Sequence, residues 1–490
     1  MLETLTSHLS SSQSEAAQHC LRIEQGMLRV YAGPDTPDFD GILEVLNAID
    51  PQKWGVPVNQ LWLRFLRLTN AQLQTLSEVP WFADVQILDL SESRVSSKGL
   101  TFVHAARGLR VLDLSHVKIG RGVSKLSGLT SLESLFLGFS GIDAKASVAL
   151  GAADLPSLRC LDLGGWGAYS TVAKLDTAYR DGFYTPPRVE RDMVKGVFAG
   201  GIPATLRELR LRHLHLDRLG CAAFGRAGLH ELQRLEMFDC KIDLFRPVIR
   251  NLPSLRVLRS NTGMDGEALT QACFLPTLEC LDLSADRVSW SLSDPHSAYL
   301  WEEGSLRGGL NEDLLCSTLA QTPCLRELRL VRMGVGRALV DVLVEHGPPL
   351  SLLSLPSNRI DDYSVELLGG SAFVSTLRTL ALSGNPIKRA GVAALAAAPL
   401  SLHTLSLRSV QLSSFDIEPL WSAHWIPGLR TLYLTDNRLD AAVVPSLLQL
   451  PSTLTLQLRH NFLGDHDLHQ LEVHFGVELG SQFQQPKSIL

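Results

Sequence analysis

The 490-residue sequence lacks most of the features that fix a location or a chemistry. Its opening residues, MLETLTSHLSSSQSEAAQHC, contain no apolar run of the kind a secretion signal needs. Nowhere is a stretch apolar for long enough to cross a bilayer as a helix, so membrane insertion is not expected. No Asn-x-Ser/Thr acceptor for glycosylation occurs. The eight cysteines (Cys20, Cys160, Cys221, Cys240, Cys273, Cys280, Cys316 and Cys324) are scattered and form no C-x-x-C pair. Thiols in a reducing compartment are expected, which places the chain in the cytoplasm or another intracellular space. An effector delivered without a cleaved leader satisfies the same description. A Gly-rich phosphate loop with its lysine is missing, and so is a nucleophile elbow. No cofactor and no catalytic residue is expected. The formal charge of -6 leaves no general basic surface for nucleic acid. The basic stretch RELRLRHLHLDR, from Arg207, is interleaved with Glu208 and reads as a charged sheet face.

What is present is a repeat. From Leu350 the chain runs L-x-x-L-x-L-x-x-N-x-I on Leu350, Leu353, Leu355, Asn358 and Ile360. The same spacing returns from Leu377 to Ile387 and from Leu429 to Leu439. Looser copies put the first position at 63, 85, 109, 132, 158, 206, 232, 255, 278, 325, 350, 377, 402, 429 and 453, about fifteen repeats. Alternation of L-x-L predicts a short strand whose leucines point inward. Asn358, Asn385, Asn437 and Asn461 stand where an amide can bond the backbone of the turn leaving the strand. Stretches such as DDYSVELLGGSAF (from Asp361) and KRAGVAALAAA (from Lys388) predict helix in the second half of the repeat.

This spacing resembles that of leucine-rich repeat proteins, most closely the ribonuclease-inhibitor-like class. The resemblance implies an α/β horseshoe solenoid with a parallel concave sheet and a mostly helical convex side. Residues 1–60 are expected to form a helical cap, with a helix from Phe39 to Ile49. The solenoid follows over 61–463, and a terminal cap with a polar tail over 464–490.

Two steps are nearly double: 48 residues from Leu158 to Leu206 and 47 from Leu278 to Leu325. Each ends in a helical stretch suited to the ordinary convex position, RVERDMVKGVF from Arg188 and NEDLLCSTLA from Asn311, with Asn311 as its N-cap. The inserted residues are therefore about 164–187 and 289–309. Both are rich in aromatics: Trp166, Tyr169, Tyr179, Phe183 and Tyr184 in the first, Trp290, Tyr299 and Trp301 in the second. Large rings on loops are buried against the scaffold or against a partner.

The fifth position of each repeat faces outward and reads Arg67, Asp89, Asp113, Phe136, Asp162, Arg210, Glu236, Arg259, Asp282, Arg329, Ser354, Ala381, Ser406, Tyr433 and Gln457. The alternating signs from Arg210 to Arg329 are expected to satisfy one another. Acidic residues around aromatic anchors make Asp113, Phe136, Phe139, Asp162, Trp166 and Tyr169 the expected partner-binding region, with Trp290, Tyr299 and Trp301 on the second loop. The threonines at 379, 404, 431 and 455 read as neutral strand filling. Cys160 and Cys280 are expected as ordinary half-buried thiols, with Asp162 and Asp282 nearby raising their pKa. His460, His466, His469 and His474 have no cysteine beside them, and no metal site is expected. The expected function is non-enzymatic recognition of another protein, as adaptor, inhibitor or effector. The alternatives are a regulator of a small GTPase and the recognition part of a ubiquitin-ligase system.

Overall fold

The computed structural model describes residues 21–24, 27–31, 39–48, 58–64, 66–164, 188–201, 204–284 and 310–476. Beyond the strand end at Gly164, both expected inserts lie outside these residues, as do their aromatics Trp166, Tyr169, Tyr179, Phe183, Tyr184, Trp290, Tyr299 and Trp301. The chain forms two compact units, Met1–Ser254 and Leu255–Leu490.

Each unit is a stack of coils, and each coil contributes one short strand to a parallel sheet. In the first unit these are β3 (Val58–Trp62), β4 (Ile87–Asp89), β5 (Val111–Asp113), β6 (Ser134–Gly138), β7 (Cys160–Gly164), β8 (Glu208–Arg212) and β10 (Arg234–Phe238). Register is the same throughout: Leu61 lies opposite Leu88, Leu88 opposite Leu112, Leu112 opposite Leu135 and Leu135 opposite Leu161. In the second unit β12 (Val257–Ser260), β13 (Cys280–Asp282), β14 (Glu327–Arg329), β15 (Leu352–Ser354), β16 (Thr379–Ala381), β17 (Thr404–Ser406), β18 (Thr431–Tyr433) and β19 (Thr455–Gln457) pair in order, all parallel. A two-residue pair, β9 (His215–Leu216) with β11 (Lys241–Ile242), extends the turns behind β8 and β10. The first, fourth and sixth leucines of the coils are buried, as Leu350, Leu353 and Leu355 illustrate at 0% exposure. This is the α/β leucine-rich repeat fold, read directly from strand register.

Helices return each coil to the next strand. Asp362–Gly369 begins at Asp361, whose side chain accepts the Ser364 N–H, and Arg389–Ala397 follows in the next coil. The coils starting at Val85 and Leu109 instead use 3-10 helices, Gly99–Ala105 and Gly120–Leu126. Those coils are only 24 and 23 residues long. Length alone does not set the choice, since the 23-residue coils from Leu232 and Leu255 return through short α-helices, Phe245–Ile249 and Gly266–Thr270. After the first insert, Arg188–Ala199 is an α-helix, as its pattern predicts. Asn311 caps the helix Glu312–Leu319 after the second, accepting the Leu314 N–H at 2.9 Å.

Two sequence readings change. The first coil begins at Val58, not Leu63, because Leu61 and not Leu66 pairs with Leu88. Leu63, Leu66 and Leu68 reproduce the 1-4-6 spacing five residues late. The outward fifth residue is therefore Trp62, opposite Asp89, and Arg67 leaves the row. Second, the expected helical cap contains a β-hairpin besides the helix Phe39–Ala48. Strands β1 (Leu21–Glu24) and β2 (Met27–Tyr31) pair antiparallel, and β2 adds in parallel to β3. The added strands occupy the hydrogen-bonding edge that β3 would otherwise expose to solvent.

Candidate partner-binding site

The carboxylates of the fifth position do more than face outward. In the sequence L-D-L-S the aspartate turns back on the strand end. Asp89 Oδ1 accepts the Ser91 N–H at 2.8 Å, Asp113 Oδ1 accepts the Ser115 N–H at 2.8 Å, and Asp282 Oδ1 accepts the Ser284 N–H at 3.2 Å. These residues close the turn leaving the strand. Asp162 departs from this pattern. It is followed by Leu163 and Gly164, and its Oδ1 is buried with no hydrogen-bond partner, although the residue is only 5% exposed. Its other oxygen pairs with Arg212 at 3.3 Å. Burial raises the pKa of Asp162, Arg212 and then Arg210 oppose the shift, and Asp113 and Glu236 add to it. Asp113 is raised for the same first reason, burial, against the hydrogen bonds from Ser115.

Register brings the expected residues together. Asp113, Phe136 and Asp162 are direct neighbours on β5, β6 and β7. Phe139 follows immediately after β6 and has a left-handed backbone, φ 58°. Its ring stacks on His116 with centroids 4.8 Å apart and leans on His213 at 5.4 Å. His116 and His213 occupy the same eighth position of their own coils and are also left-handed. Left-handed backbone is sparsely populated outside glycine, so a bulky ring there is held by its surroundings. The Phe139 N–H donates to Gly164 O at 3.1 Å, and the His116 N–H to Gly138 O at 2.8 Å. The eighth position repeats this geometry at Glu92, Asp239, Arg332, Ser357, Gly384, Ser409, Asp436 and His460. Neither the left-handed column nor its aromatic members was visible as leucine spacing; the polar and small residues recurring just before the ninth position were the available signal.

Two further features escaped the sequence reading. The seventh position faces the same side as the fifth and is glycine in two successive coils, Gly138 and Gly164, which lie opposite one another in the sheet. A Cβ on Gly164 would stand 2.9 Å from Gly138 Cα, so the backbones approach too closely for a side chain there. A Cβ on Gly138 would have Ser115 Oγ at 3.5 Å as its nearest neighbour, with Ser115 Cβ and Asp162 Oδ1 at 3.9 Å, all ordinary contacts. Gly138 itself is buried, so the two glycines mark a close backbone approach with unequal room for a side chain. In the second unit, Arg408, at the seventh position, lies 4.1 Å from the centre of the Tyr433 ring and donates to Gln457 Oε1 at 2.8 Å. The threonines at 379, 404, 431 and 455 are successive partners beside this cluster.

The charged part of the row satisfies itself within the first unit. Arg210 pairs with Glu236 at 3.3 Å and with Glu208 at 3.5 Å, and Arg234 pairs with Glu236 at 3.3 Å. Cys160 and Cys280 are buried, and their thiols are each pushed up to about 11. Burial is the main cause for both. The acid that matters most to Cys160 is Glu208, ahead of Asp162, and for Cys280 it is Glu327. Of the late histidines, His460 bonds Asp436 at 2.6 Å, His474 bonds Leu450 O at 2.9 Å and His466 faces Gln470. Among the described residues no three His, Cys, Asp or Glu side chains converge on a point where a metal could sit. No helix among them is long and apolar enough to cross a membrane.

No family model matches the chain, and no curated protein matches it. Solved structures similar to it include an internalin of Listeria monocytogenes, 17% identical over 82% of this chain and 87% of that one, with a TM-score of 0.33. A leucine-rich repeat protein of Leptospira interrogans is 17% identical over 88% of this chain and 85% of its own, with a TM-score of 0.37. Mouse RP105, solved in complex with MD-1, is 16% identical over 88% and 75%, with a TM-score of 0.41.

Proposed function

We propose that the chain is a non-enzymatic protein-recognition module, and that its partner meets the first unit at Asp113, Phe136, Phe139 and Asp162, together with Trp166 and Tyr169 of the first insert. One observation carries this reading. The Phe139 ring is fixed in a left-handed turn against His116 and His213, beside two half-buried or buried carboxylates. An aromatic held rigidly next to acceptors loses little entropy on contact with a partner, which is the property of binding hot spots. Trp290, Tyr299 and Trp301 of the second insert are a second contact in the same reading. An adaptor, an inhibitor and an effector all use such a surface. No described residue favours the small-GTPase or ubiquitin-ligase alternatives. The α-helices of the longer coils support a place beside the ribonuclease-inhibitor-like class. None of the seven described cysteines is in a disulfide, which supports a reducing, intracellular location.

The test is affinity capture from cell lysate on the wild-type chain and on a Phe139→Ala/Trp166→Ala variant of unchanged melting temperature. Proteins retained by the wild type and lost from the variant are expected. An identical set on both would remove this site.

A further inference from the structure

From β15 onward the strands of the second unit, with the turns that leave them, carry charge of one sign. The first nine residues of the coils from Leu350, Leu377, Leu402, Leu429 and Thr453 contain Arg378, Arg408, Arg430 and Arg459 against a single carboxylate, Asp436. Asp436 is itself engaged by His460 at 2.6 Å. The matching segments of the first unit carry Asp89, Asp113 and Asp162, and the whole chain is acidic, so the cations are gathered here rather than spread. Arg430 and Arg459 are exposed, while Arg408, Tyr433 and Ser383 are half-buried and still reach solvent.

Arg408 is held in place. Its guanidinium lies over the Tyr433 ring and donates to Gln457 Oε1, two groups that bring no negative charge. Burial lowers its pKa, against the opposing effects of Tyr433 and Asp436. A cation partly removed from water attracts an anion more strongly than a fully solvated one. Beside it, Ser383 Oγ accepts the Arg408 N–H at 3.3 Å and lies 2.8 Å from Ser406 Oγ. Two hydroxyls that share one such bond keep one proton to donate. Arg459 follows β19, two strands along from β17, a separation of about 10 Å.

We propose that this face receives an acidic segment of a partner protein, with one aspartate or glutamate carboxylate on Arg408 and a second on Arg459. The contact goes beyond the one proposed for the first unit and does not depend on it. The planar fork of a guanidinium matches a carboxylate, and the Ser383–Ser406 pair adds a neutral donor. Thr379, Thr404 and Thr431 are half-buried neighbours in the same strands and place no negative charge against the segment. Single-stranded nucleic acid suits the face less well. It is held by cations together with open rings on which bases stack. Tyr433 is the one Phe, Tyr or Trp in these segments, and Arg408 already covers its ring at 4.1 Å.

The probe is a phage library of random 12-residue peptides, panned on the full-length chain. Selected peptides are synthesised and their affinity is measured by fluorescence anisotropy. Peptides rich in aspartate and glutamate are expected, and changing their acids to the amides should weaken binding about tenfold or more. Arg408→Gln/Arg459→Gln should weaken the same peptides to a similar degree. The two losses should not add, as a shared contact requires. Arg459 is exposed, so Arg459→Gln alone serves where the double variant melts early. Phe139→Ala should leave these peptides bound. Selected peptides that need no acid, or that bind the double variant as well as wild type, overturn the proposal, as does the absence of any bound peptide. Peptides lost on Phe139→Ala but kept by the arginine variants would leave the first-unit site standing and remove this one. A 12-nucleotide oligouridine that binds more tightly than the peptides and is lost on the arginine variants would assign the face to nucleic acid instead.

Discussion

Asn385 reaches back one coil to Asn358. Its Oδ1 accepts the Asn358 N–H at 3.1 Å and the Ile360 N–H at 3.0 Å, while its Nδ2 donates to Leu355 O at 2.7 Å and Leu382 O at 2.9 Å. Asn358 does the same for Met333 and Leu330, Asn437 for Leu412 and Leu407, and Asn461 for Leu439 and Leu434. Asn385 itself is only 3% exposed. Replacing it with alanine strands buried amides and carbonyls of two coils. Asn385→Ala is expected to destabilise the chain by about 3 kcal/mol. A fall in the urea midpoint with an unchanged slope would show it; a midpoint within error of wild type would contradict it.

Gly138 and Gly164 are neighbours in the sheet with opposite tolerance. Gly164→Ala drives a methyl into Gly138 Cα and the Phe139 amide, at 2.9 and 3.0 Å, and neither is a flexible side-chain end. The expected cost is about 2 kcal/mol. Gly138→Ala meets only ordinary contacts and should melt close to wild type. Thermal denaturation of the pair decides it: equal losses of stability would mean that the Gly138–Gly164 approach does not discriminate between them.

Thiol reactivity should divide the cysteines. Cys160 and Cys280 are raised to about 11 and Cys240 to about 12, with burial the first cause in each. At pH 8 a thiol of that kind is ionised to about one part in a thousand or less, and the thiolate is the reacting form. Cys273 and Cys324 are exposed. Iodoacetamide on the folded chain should modify these two first, with 160, 240 and 280 reacting only after unfolding. Peptide mass mapping over time reads the order.

Asp162 gives a pH dependence of definite sign. Its folded pKa lies above the ordinary aspartate value because burial outweighs Arg212 and Arg210. The folded state therefore holds the proton more tightly than the unfolded state. Its contribution to stability falls as pH rises from the unfolded value, about 3.9, through the raised folded value. Asparagine has no such term. Asp162→Asn should melt at or above wild type at pH 7, and the advantage should shrink as the pH approaches 4. A variant that is clearly less stable at pH 7 would mean that the Arg212 pair outweighs burial.

Much of this was legible because inward leucines tolerate few substitutes. From Leu350 onward each coil also carries its asparagine or a stand-in, and the strands fall where the spacing puts them. The first coil was misplaced because LRFLRL repeats the same interval five residues beyond VNQLWL, and periodicity alone cannot choose between two overlapping copies. Hydrogen bonding to β4 chooses VNQLWL. The acidic row was visible as outward residues, yet not its work within the strand ends. That follows from a two-residue offset, aspartate to serine amide, which leucine counting does not register. The contrast between Asp162 and its relatives lies in one letter, glycine where Asp89, Asp113 and Asp282 have a serine two residues on.

The asparagine contacts all run one way. The amides of one coil's turn are met by the side chain of the coil that follows: Met333 and Val335 by Asn358, Leu412 by Asn437, Leu439 by Asn461. Within the second unit a coil thus leans on its successor, like books tilted along a shelf. Shortening the chain from the carboxyl side takes away the bookend and leaves a turn unanswered. Shortening it from the amino side leaves every asparagine amide bond of the remaining turns in place, though the next strand loses the carbonyls its amides meet, as Arg378 and Thr379 meet Ser351 O. The helix Asp465–Phe475, beyond the last strand, stands where that shelf must be closed.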